Sequence, residues 1–225
     1  MFCLITQRHI HLEKGDRDSL EQAYITYFDK FSLNLLPIPN NKTNLESYFL
    51  ITIKGVILSG GNDISPEFSG LKESEVTDYS EKRDDTEYRL LDLSIKKSIP
   101  VLGICRGMQI INTYFNGKLI NLNERKIRES HVSVEHDVEI KEKACKKILG
   151  SHTAVNSFHN QGINKESLSP KLKVFAQTKS EIIEGIYHPD YKIAGIQWHP
   201  ERKSPDDSFN EKLIRQFLEE KLYWA

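Results

Sequence analysis

The sequence predicts an α/β domain with a mostly parallel central sheet, helices on both faces, and a smaller antiparallel β portion in its C-terminal half. Two observations carry this. Through the first half, short apolar runs alternate with amphipathic stretches, the pattern of parallel strands joined by crossover helices. In the second half "VSVEHDVEI", "LKVFAQT", "EIIEGIYH" and "IAGIQWH" are all β-like and joined by short connections, which favours antiparallel pairing.

Taken in order, Phe2–Thr6 is an apolar run short enough for a buried strand. In "DRDSLEQAYITYFDKF", Leu20, Ala23, Tyr24, Tyr27, Phe28 and Phe31 share one helical face, and Ser19 with Gln22 resembles a capping box. "LNLLPI" and "GVILSGG" read as further strands, the latter ending in a glycine turn. The stretch Gly70–Lys82, rich in Glu, Ser and Asp, reads as an exposed loop. A helix is predicted over Asp84–Lys97, with Pro100 preventing its continuation. "VLGI" then gives a buried strand and "RGMQIINTYF" a helix. The C-terminal "DDSFNEKLIRQFLEEKLYW" places Phe209, Leu213, Ile214, Phe217 and Leu218 on one helical face. No repeat or linker interrupts the chain, so residues 1–225 are read as a single domain.

Charge and cysteine usage narrow the function classes. With 31 basic and 32 acidic residues the net charge is −1, which gives no reason to expect nucleic acid or a membrane surface as partner. The three widely spaced cysteines, Cys3, Cys105 and Cys145, are no disulfide framework and point to a reducing, cytoplasmic setting. "MFCLITQRHIH" has no basic leader and no cleavage site, so it is read as a strand rather than a signal peptide. No run approaches the ~20 apolar residues of a membrane span.

The chemistry concentrates at "PVLGICRGMQ". Cys105 follows a strand and opens a helix, where unpaired N–H groups and a partial positive charge favour a thiolate. The Arg106 N–H lies where an oxyanion would develop. Gly103 and Gly107 remove side chains that would crowd a strained turn, as in a nucleophile elbow. Locally, a buried core cysteine packed by glycines fits equally well. Cys3, inside an apolar run, is read as core, and Cys145 has no evident role. A nucleophile needs a base and a group that orients it. In "GIQWHPE", His199 and Glu201 are two residues apart at a strand end, on one side of an extended chain. Backbone N–H groups of Gly60 and Gly61 in "LSGGND" can line the same crevice, although that segment alone could be a simple turn.

Together, "GICRGMQ", "GIQWHPE" and "LSGGND" resemble class I glutamine amidotransferases. "GGNDISPEFSG", "RDDTE", "LGICRGMQIIN" and "VNSFHNQGI" narrow the resemblance to the γ-glutamyl hydrolase branch, over about Gly60 to Glu201. The resemblance implies a flavodoxin-like sheet and a Cys105–His199–Glu201 triad, with backbone N–H groups of Gly61 and Arg106 as oxyanion donors. It implies that Gln109 holds a glutamyl head group, and that Gly60 and the loop of Asn156, Ser157, Phe158 and His159 complete the substrate site. The expected activity is hydrolysis of a γ-glutamyl amide through a γ-glutamyl thioester, without a cofactor. Relatives in this branch act on γ-glutamyl amides of simple amines, such as γ-glutamyl-γ-aminobutyrate, or on a γ-glutamyl nucleotide amidate of capsule phosphoramidate synthesis. Departures such as "NTYFNGKLI", with Lys118 where the family has a small polar residue, leave the leaving group open. The resemblance leans toward the nucleotide amidate. Lys118, Arg125, Lys126 and Arg128 form a basic cluster that suits a phosphate if it borders the crevice, and is otherwise a solvated surface.

A glutaminase subunit feeding a synthetase would share the triad but need a protein partner, which the stand-alone motifs do not call for. No metal site is expected. There is no HExxH and no paired CxxC, a straight strand would aim His131 and His136 at opposite faces, and His9 and His11 lack an evident third ligand.

Overall fold

A computed structural model describes residues 1–40, 43–122 and 131–222. Arg125, Lys126 and Arg128 of the basic cluster lie outside the described residues. Along the chain run β1 (Phe2–Thr6), β2 (Arg8–Ile10), β3 (Arg17–Ser19), α1 (Gln22–Asp29), β4 (Asn34–Ile38), β5 (Gly55–Leu58), α2 (Pro66–Ser69) and α3 (Glu81–Lys97). There follow β6 (Val101–Ile104), α4 (Arg106–Tyr114), β7 (Ile120–Asn121), β8 (Val132–Ile140), α5 (Lys143–Leu149), β9 (His152–Phe158) and β10 (Gln161–Gly162). The last elements are β11 (Lys173–Gln177), β12 (Ile183–Tyr187), β13 (Ile193–Ile196) and α6 (Asp207–Leu218).

Among the described residues, nine strands form one mixed sheet in the order β4-β1-β5-β6-β13-β12-β11-β8-β9. The first five are mutually parallel and the rest antiparallel, as the alternation of elements predicts. One strand departs from expectation. Although it belongs to the antiparallel half by sequence, β13 lies parallel to β6, with Gly195 opposite Gly103. The strands β5, β6 and β13 are therefore neighbours running the same way, and their carboxyl ends open on one crevice.

Successive side chains of each strand feed opposite faces. Cys3, Ile5, Ile57, Leu102 and Ile104 join a core with Phe28, Phe175, Phe217 and Trp198 beneath α1, α5 and α6. Leu4, Val56, Leu58 and Val101 join the other, with Leu90, Leu91, Met108 and Ile111 of α3 and α4. Cys145 has a plain role here: it is fully buried against the first core. Burial also pushes the Cys3 thiol up to about 12, so it is an inert core group.

Several boundaries move for identifiable reasons. The Ser19–Gln22 capping box does not form. Ser19 pairs with Arg8 in the β2–β3 hairpin, and α1 starts at Gln22 without a side-chain cap. At its start α3 is capped by the Ser80 hydroxyl, and at its end by Ser98 in the left-handed region (φ 54°), two residues before Pro100. The stretch 70–82 is tethered rather than a free loop. Val76 and Ser80 are buried, Tyr79 bridges Asp63, and Asp78 accepts hydrogen bonds from Arg8 (2.5 Å) and Asn62 (3.0 Å). Lys118 is exposed and its aliphatic stem packs on Gly70. "VNSFH", expected as a loop, continues β9 as far as Phe158, because each residue from His152 to Phe158 has a partner in β8, and His159 follows the strand.

The helix α4 packs unusually close to the sheet. A Cβ at Gly107 would sit 2.1 Å from the Leu58 carbonyl oxygen, and one at Gly103 2.4 Å from the Gly107 backbone. Both obstacles are backbone and cannot swing aside. Gly107→Ala is accordingly expected to lower stability by about 1–3 kcal/mol, read as a lower urea midpoint at unchanged m-value. A wild-type midpoint would show that α4 can lift off the sheet freely.

Candidate active site

Cys105 sits between β6 and α4 with φ 52° and ψ −104°, a strained conformation for a residue with a Cβ. Its N–H donates to the Ile196 carbonyl (2.8 Å), so the end of β13 holds the turn in place. The side chain is nearly buried, and the Gln197 amide nitrogen lies 3.5 Å from its sulfur. Three residues beyond β13, His199 is buried and its Nδ1 is 2.6 Å from Glu201 Oε1. A carboxylate can only accept, so Nδ1 carries the proton, and Nε2 is the ring nitrogen left to interact with the Cys105 thiol. A Cβ at Gly60 would lie 2.9 Å from His199 Cε1, 3.3 Å from the Tyr24 hydroxyl and 3.7 Å from Cys105 Cβ. That spot is where the three loops meet, and only glycine leaves it open. Burial is the largest influence on His199 and disfavours its charge, but Cys105 and Glu201 outweigh it and hold the imidazolium up to about 10.

The Gly60–Gly61 loop is set from below. Arg83 Nη2 donates to the carbonyls of Ser59 (2.8 Å) and Gly60 (2.9 Å). In a trans peptide the N–H points opposite to the C=O. With the Gly60 carbonyl drawn into Arg83, the Gly61 N–H is aimed away from it. The Gly60 N–H is already engaged, donating to the Tyr24 hydroxyl at 2.9 Å. Burial first, then the Glu201 carboxylate, pushes Tyr24 ionisation well above the ordinary phenol value, so the hydroxyl keeps its proton.

Arg83 is itself fixed. Its Nε is 3.0 Å from Glu87, and the Arg106 guanidinium bridges Glu87 and Asp84. All four side chains are buried, two positive and two negative. Burial acts against the Glu87 charge, yet the two arginines more than offset it and its carboxyl falls below the usual range. This network gives "RDDTE" a physical meaning: it clamps α3 to the Cys105 turn and to the glycine loop. Arg106 thus has its side chain under the site while its backbone N–H opens α4 beside Cys105.

The remaining sequence-selected residues fall as follows. Gln109 is buried, its amide nitrogen donating to the Gln161 carbonyl (3.0 Å) and lying 3.4 Å from Gln197 Oε1. Asn156 uses its amide on backbone: Nδ2 donates to the carbonyls of His199 (2.8 Å) and Lys203 (2.9 Å), and Oδ1 accepts from the His199 N–H (2.9 Å). Ser157 donates to the His131 carbonyl (2.7 Å). Phe158 is exposed at the mouth, its ring 5.8 Å from that of His199 with the Arg202 guanidinium 4.8 Å above it. His159 is no surface histidine; it is buried, with Nδ1 at 2.9 Å from the Gln161 carbonyl. A cleft of about 150 Å³ beside Gly60 and Gly61 is bounded by Arg8, Leu20, Glu21 and Tyr24.

Three residues escaped the sequence reading. Gln197 and Arg83 lay inside quoted motifs without a role, and Tyr24 was only one member of an apolar helical face. His131 and His136, expected on opposite faces of a straight strand, do not sit that way. A bulge between Val132 and Val134, with Ser133 at φ 56°, shifts the alternation by one, so His131 and His136 turn to the same side. His9 and His11 do meet a carboxylate, Asp16 (3.2 and 2.6 Å), but the Lys82 ammonium at 2.5 Å already serves it.

Comparison with known proteins agrees with this architecture. No described helix is long and apolar enough to cross a membrane. The fold is shared with a glutamine amidotransferase from Thermotoga maritima (TM-score 0.61, 17% identity, covering 97% of this chain and 83% of that one). The γ-glutamyl-CDP-amidate hydrolase of Campylobacter jejuni is 34% identical over 91% of this chain and 92% of its own length. The γ-glutamyl-γ-aminobutyrate hydrolase of Escherichia coli O157:H7 is 26% identical over 81% and 78%. The Peptidase C26 family profile matches residues 3–201, and with these relatives it places the chain in the Peptidase C26 family of class I glutamine amidotransferase-like enzymes.

Proposed function

We propose that this single-domain enzyme hydrolyses a γ-glutamyl amide by covalent catalysis, with Cys105 as nucleophile, His199 as acid and base, and Glu201 as the group that orients it. The observation that carries the reading is the buried His199–Glu201 pair beside a cysteine held at a strained strand–helix corner. The Cys105 thiolate attacks the γ-carbonyl carbon, and the developing oxyanion takes hydrogen bonds from the N–H groups of Gly61 and Arg106. His199 gives its Nε2 proton to the leaving nitrogen as the C–N bond breaks, leaving a γ-glutamyl thioester. It then takes a proton from water, whose oxygen attacks the thioester to release glutamate and restore the thiolate.

In this reading Gly60, Gln109 and the Asn156–His159 segment shape the glutamyl half of the pocket. Their contacts suggest a division of labour. Phe158 walls the mouth, while Gln109, Asn156, Ser157 and His159 hold that wall and the His199 turn in place. No step requires a cofactor or a second protein, and a reducing cytoplasm would keep the thiol active.

For the leaving group, a nucleotide amidate is favoured over a simple amine. The identity to the Campylobacter hydrolase over nine-tenths of both chains supports this, as does Arg8 at the cleft beside Gly61. With purified enzyme, kcat/KM for γ-glutamyl-CDP-amidate is expected to exceed that for γ-glutamyl-γ-aminobutyrate by about tenfold or more. Changing both Arg125 and Arg128 to Ala should remove roughly 10–100-fold from the nucleotide substrate alone, the worth of one or two charge-assisted hydrogen bonds. Preference for the aminobutyrate compound would reverse the assignment. An ammonia-supplying subunit remains the other reading of such a triad; rapid glutamine hydrolysis only when a synthetase is added would favour it.

A further inference from the structure

Away from the thiol, three imidazoles converge on one buried carboxylate. Glu184 of β12 is fully buried. Its Oε1 lies 3.7 Å from His131 Nδ1, 3.4 Å from His136 Nε2 and 3.6 Å from His159 Nε2. One donor atom from each of His131, His159 and Glu184 falls within 4.8 Å of the others. We propose that His131, His136, His159 and Glu184 form a binding site for a divalent cation of the zinc type.

The spacing is the first argument. Ligands about 2.0–2.1 Å from a tetrahedral zinc ion stand roughly 3.3–3.4 Å from one another. Separations of 3.4–3.7 Å suit the edges of such a tetrahedron better than direct hydrogen bonds, which are shorter. The second argument is the tautomer of His159. Its Nδ1 faces the Gln161 carbonyl at 2.9 Å, and a carbonyl only accepts, so the proton is on Nδ1. In the neutral ring Nε2 then turns a lone pair toward a carboxylate oxygen. Two acceptors face each other in the interior, an arrangement that a cation between them resolves. Hydrogen bonding of the outer ring nitrogen to a backbone carbonyl is also the usual way a metal-ligating imidazole is oriented. The third argument is charge. Among the described residues no lysine or arginine forms an ion pair with Glu184, and a buried carboxylate needs a positive partner. His131, His159 and Glu184 supply two nitrogens and one oxygen, a zinc-type donor set, and His136 Nε2, 3.4 Å from Glu184, is the side chain nearest to complete a fourth position.

Position gives the site a purpose. It fastens the open end of the β8–β9 hairpin to β12. The Gln161 carbonyl that orients His159 also receives Gln109, and the Glu184 carbonyl accepts from the Gln197 N–H (2.9 Å). Ser157 and the His159 N–H both donate to the His131 carbonyl. A cation here would stiffen the wall of the crevice without touching the reacting atoms, and His159 would serve the metal rather than the substrate.

The test uses purified full-length protein, stripped with a chelator and titrated with Co²⁺, with no substrate present, so its result is independent of the hydrolase reading. Expected is an intense tetrahedral visible spectrum saturating at about one Co²⁺ per chain, displaced by Zn²⁺, and a higher Tm with Zn²⁺. His136→Ala and Glu184→Gln should each weaken Co²⁺ binding by more than the ~10–100-fold typical of losing an outer-shell partner. Cys105→Ser should leave the spectrum unchanged. If Glu184→Gln fails to fold, the wild-type spectrum and His136→Ala decide. No spectrum and no Zn²⁺-dependent Tm shift at micromolar metal would overturn the proposal, leaving a His–Glu cluster that binds no metal. A spectrum lost in Cys105→Ser but kept in His136→Ala would overturn it too.

Discussion

Cys105→Ala is expected to abolish hydrolysis of γ-glutamyl amides, by roughly 10⁴-fold or more in kcat, while leaving the fold intact. Its side chain is small and lies at the edge of the first core, so alanine removes only the sulfur. The structural role of the turn rests on the Cys105 N–H to Ile196 bond, which alanine keeps. Iodoacetamide should label Cys105 ahead of Cys3 and Cys145. All three are buried, but Cys3 lies within β1 with its thiol pushed up to about 12, and Cys145 is fully buried on the core-facing side of α5. Peptide mapping after brief alkylation reads the order directly. Full turnover by Cys105→Ala would remove covalent catalysis from the proposal.

The positions that could be chosen from the sequence share one property: local pattern and local function coincide there. Cys105 is legible because glycines flank it at a strand–helix corner, and His199 with Glu201 because period-two spacing ends a strand. The alternation of apolar runs likewise conveys the layered sheet. What was illegible depends on pairing between distant segments. The parallel docking of β13 on β6 cannot be seen in "IAGIQWH", yet it brings His199 beside Cys105. Arg83 looks like any charged residue at the start of an amphipathic helix until the glycine loop folds over it. The hairpin that claims Ser19 similarly overrides a plausible cap, since strand pairing satisfies several backbone groups and a cap only one. The convergence of His131 and His136 turns on one residue, Ser133, whose positive φ reverses the facing of everything before it.

His199→Ala is expected to lower kcat by roughly 10²–10⁴-fold, because the same ring stabilises the thiolate, protonates the leaving group and activates water. Glu201→Gln should cost less. The amide oxygen can still accept from Nδ1–H, so orientation survives while the charge that supports the imidazolium is lost. The two variants also differ in how pH acts. In the wild type the His199 proton is held up to about 10 against a burial effect that opposes it, with Cys105 and then Glu201 as the supporting groups. A folded-state value raised above the unfolded ~6.5 means that this pair adds stability in full below about pH 6.5, and that the contribution disappears as pH rises through about 10. Thermal unfolding of wild type should therefore lose Tm across that window more steeply than His199→Ala does. Activity should fall over the upper part of the same range, where the ring no longer carries a proton for the leaving nitrogen. In Glu201→Gln both alkaline limbs should move to lower pH, since one supporting charge is gone. Coincident pH profiles for wild type and Glu201→Gln would mean that Glu201 does not support the imidazolium, and the carboxylate would then have only a positional role.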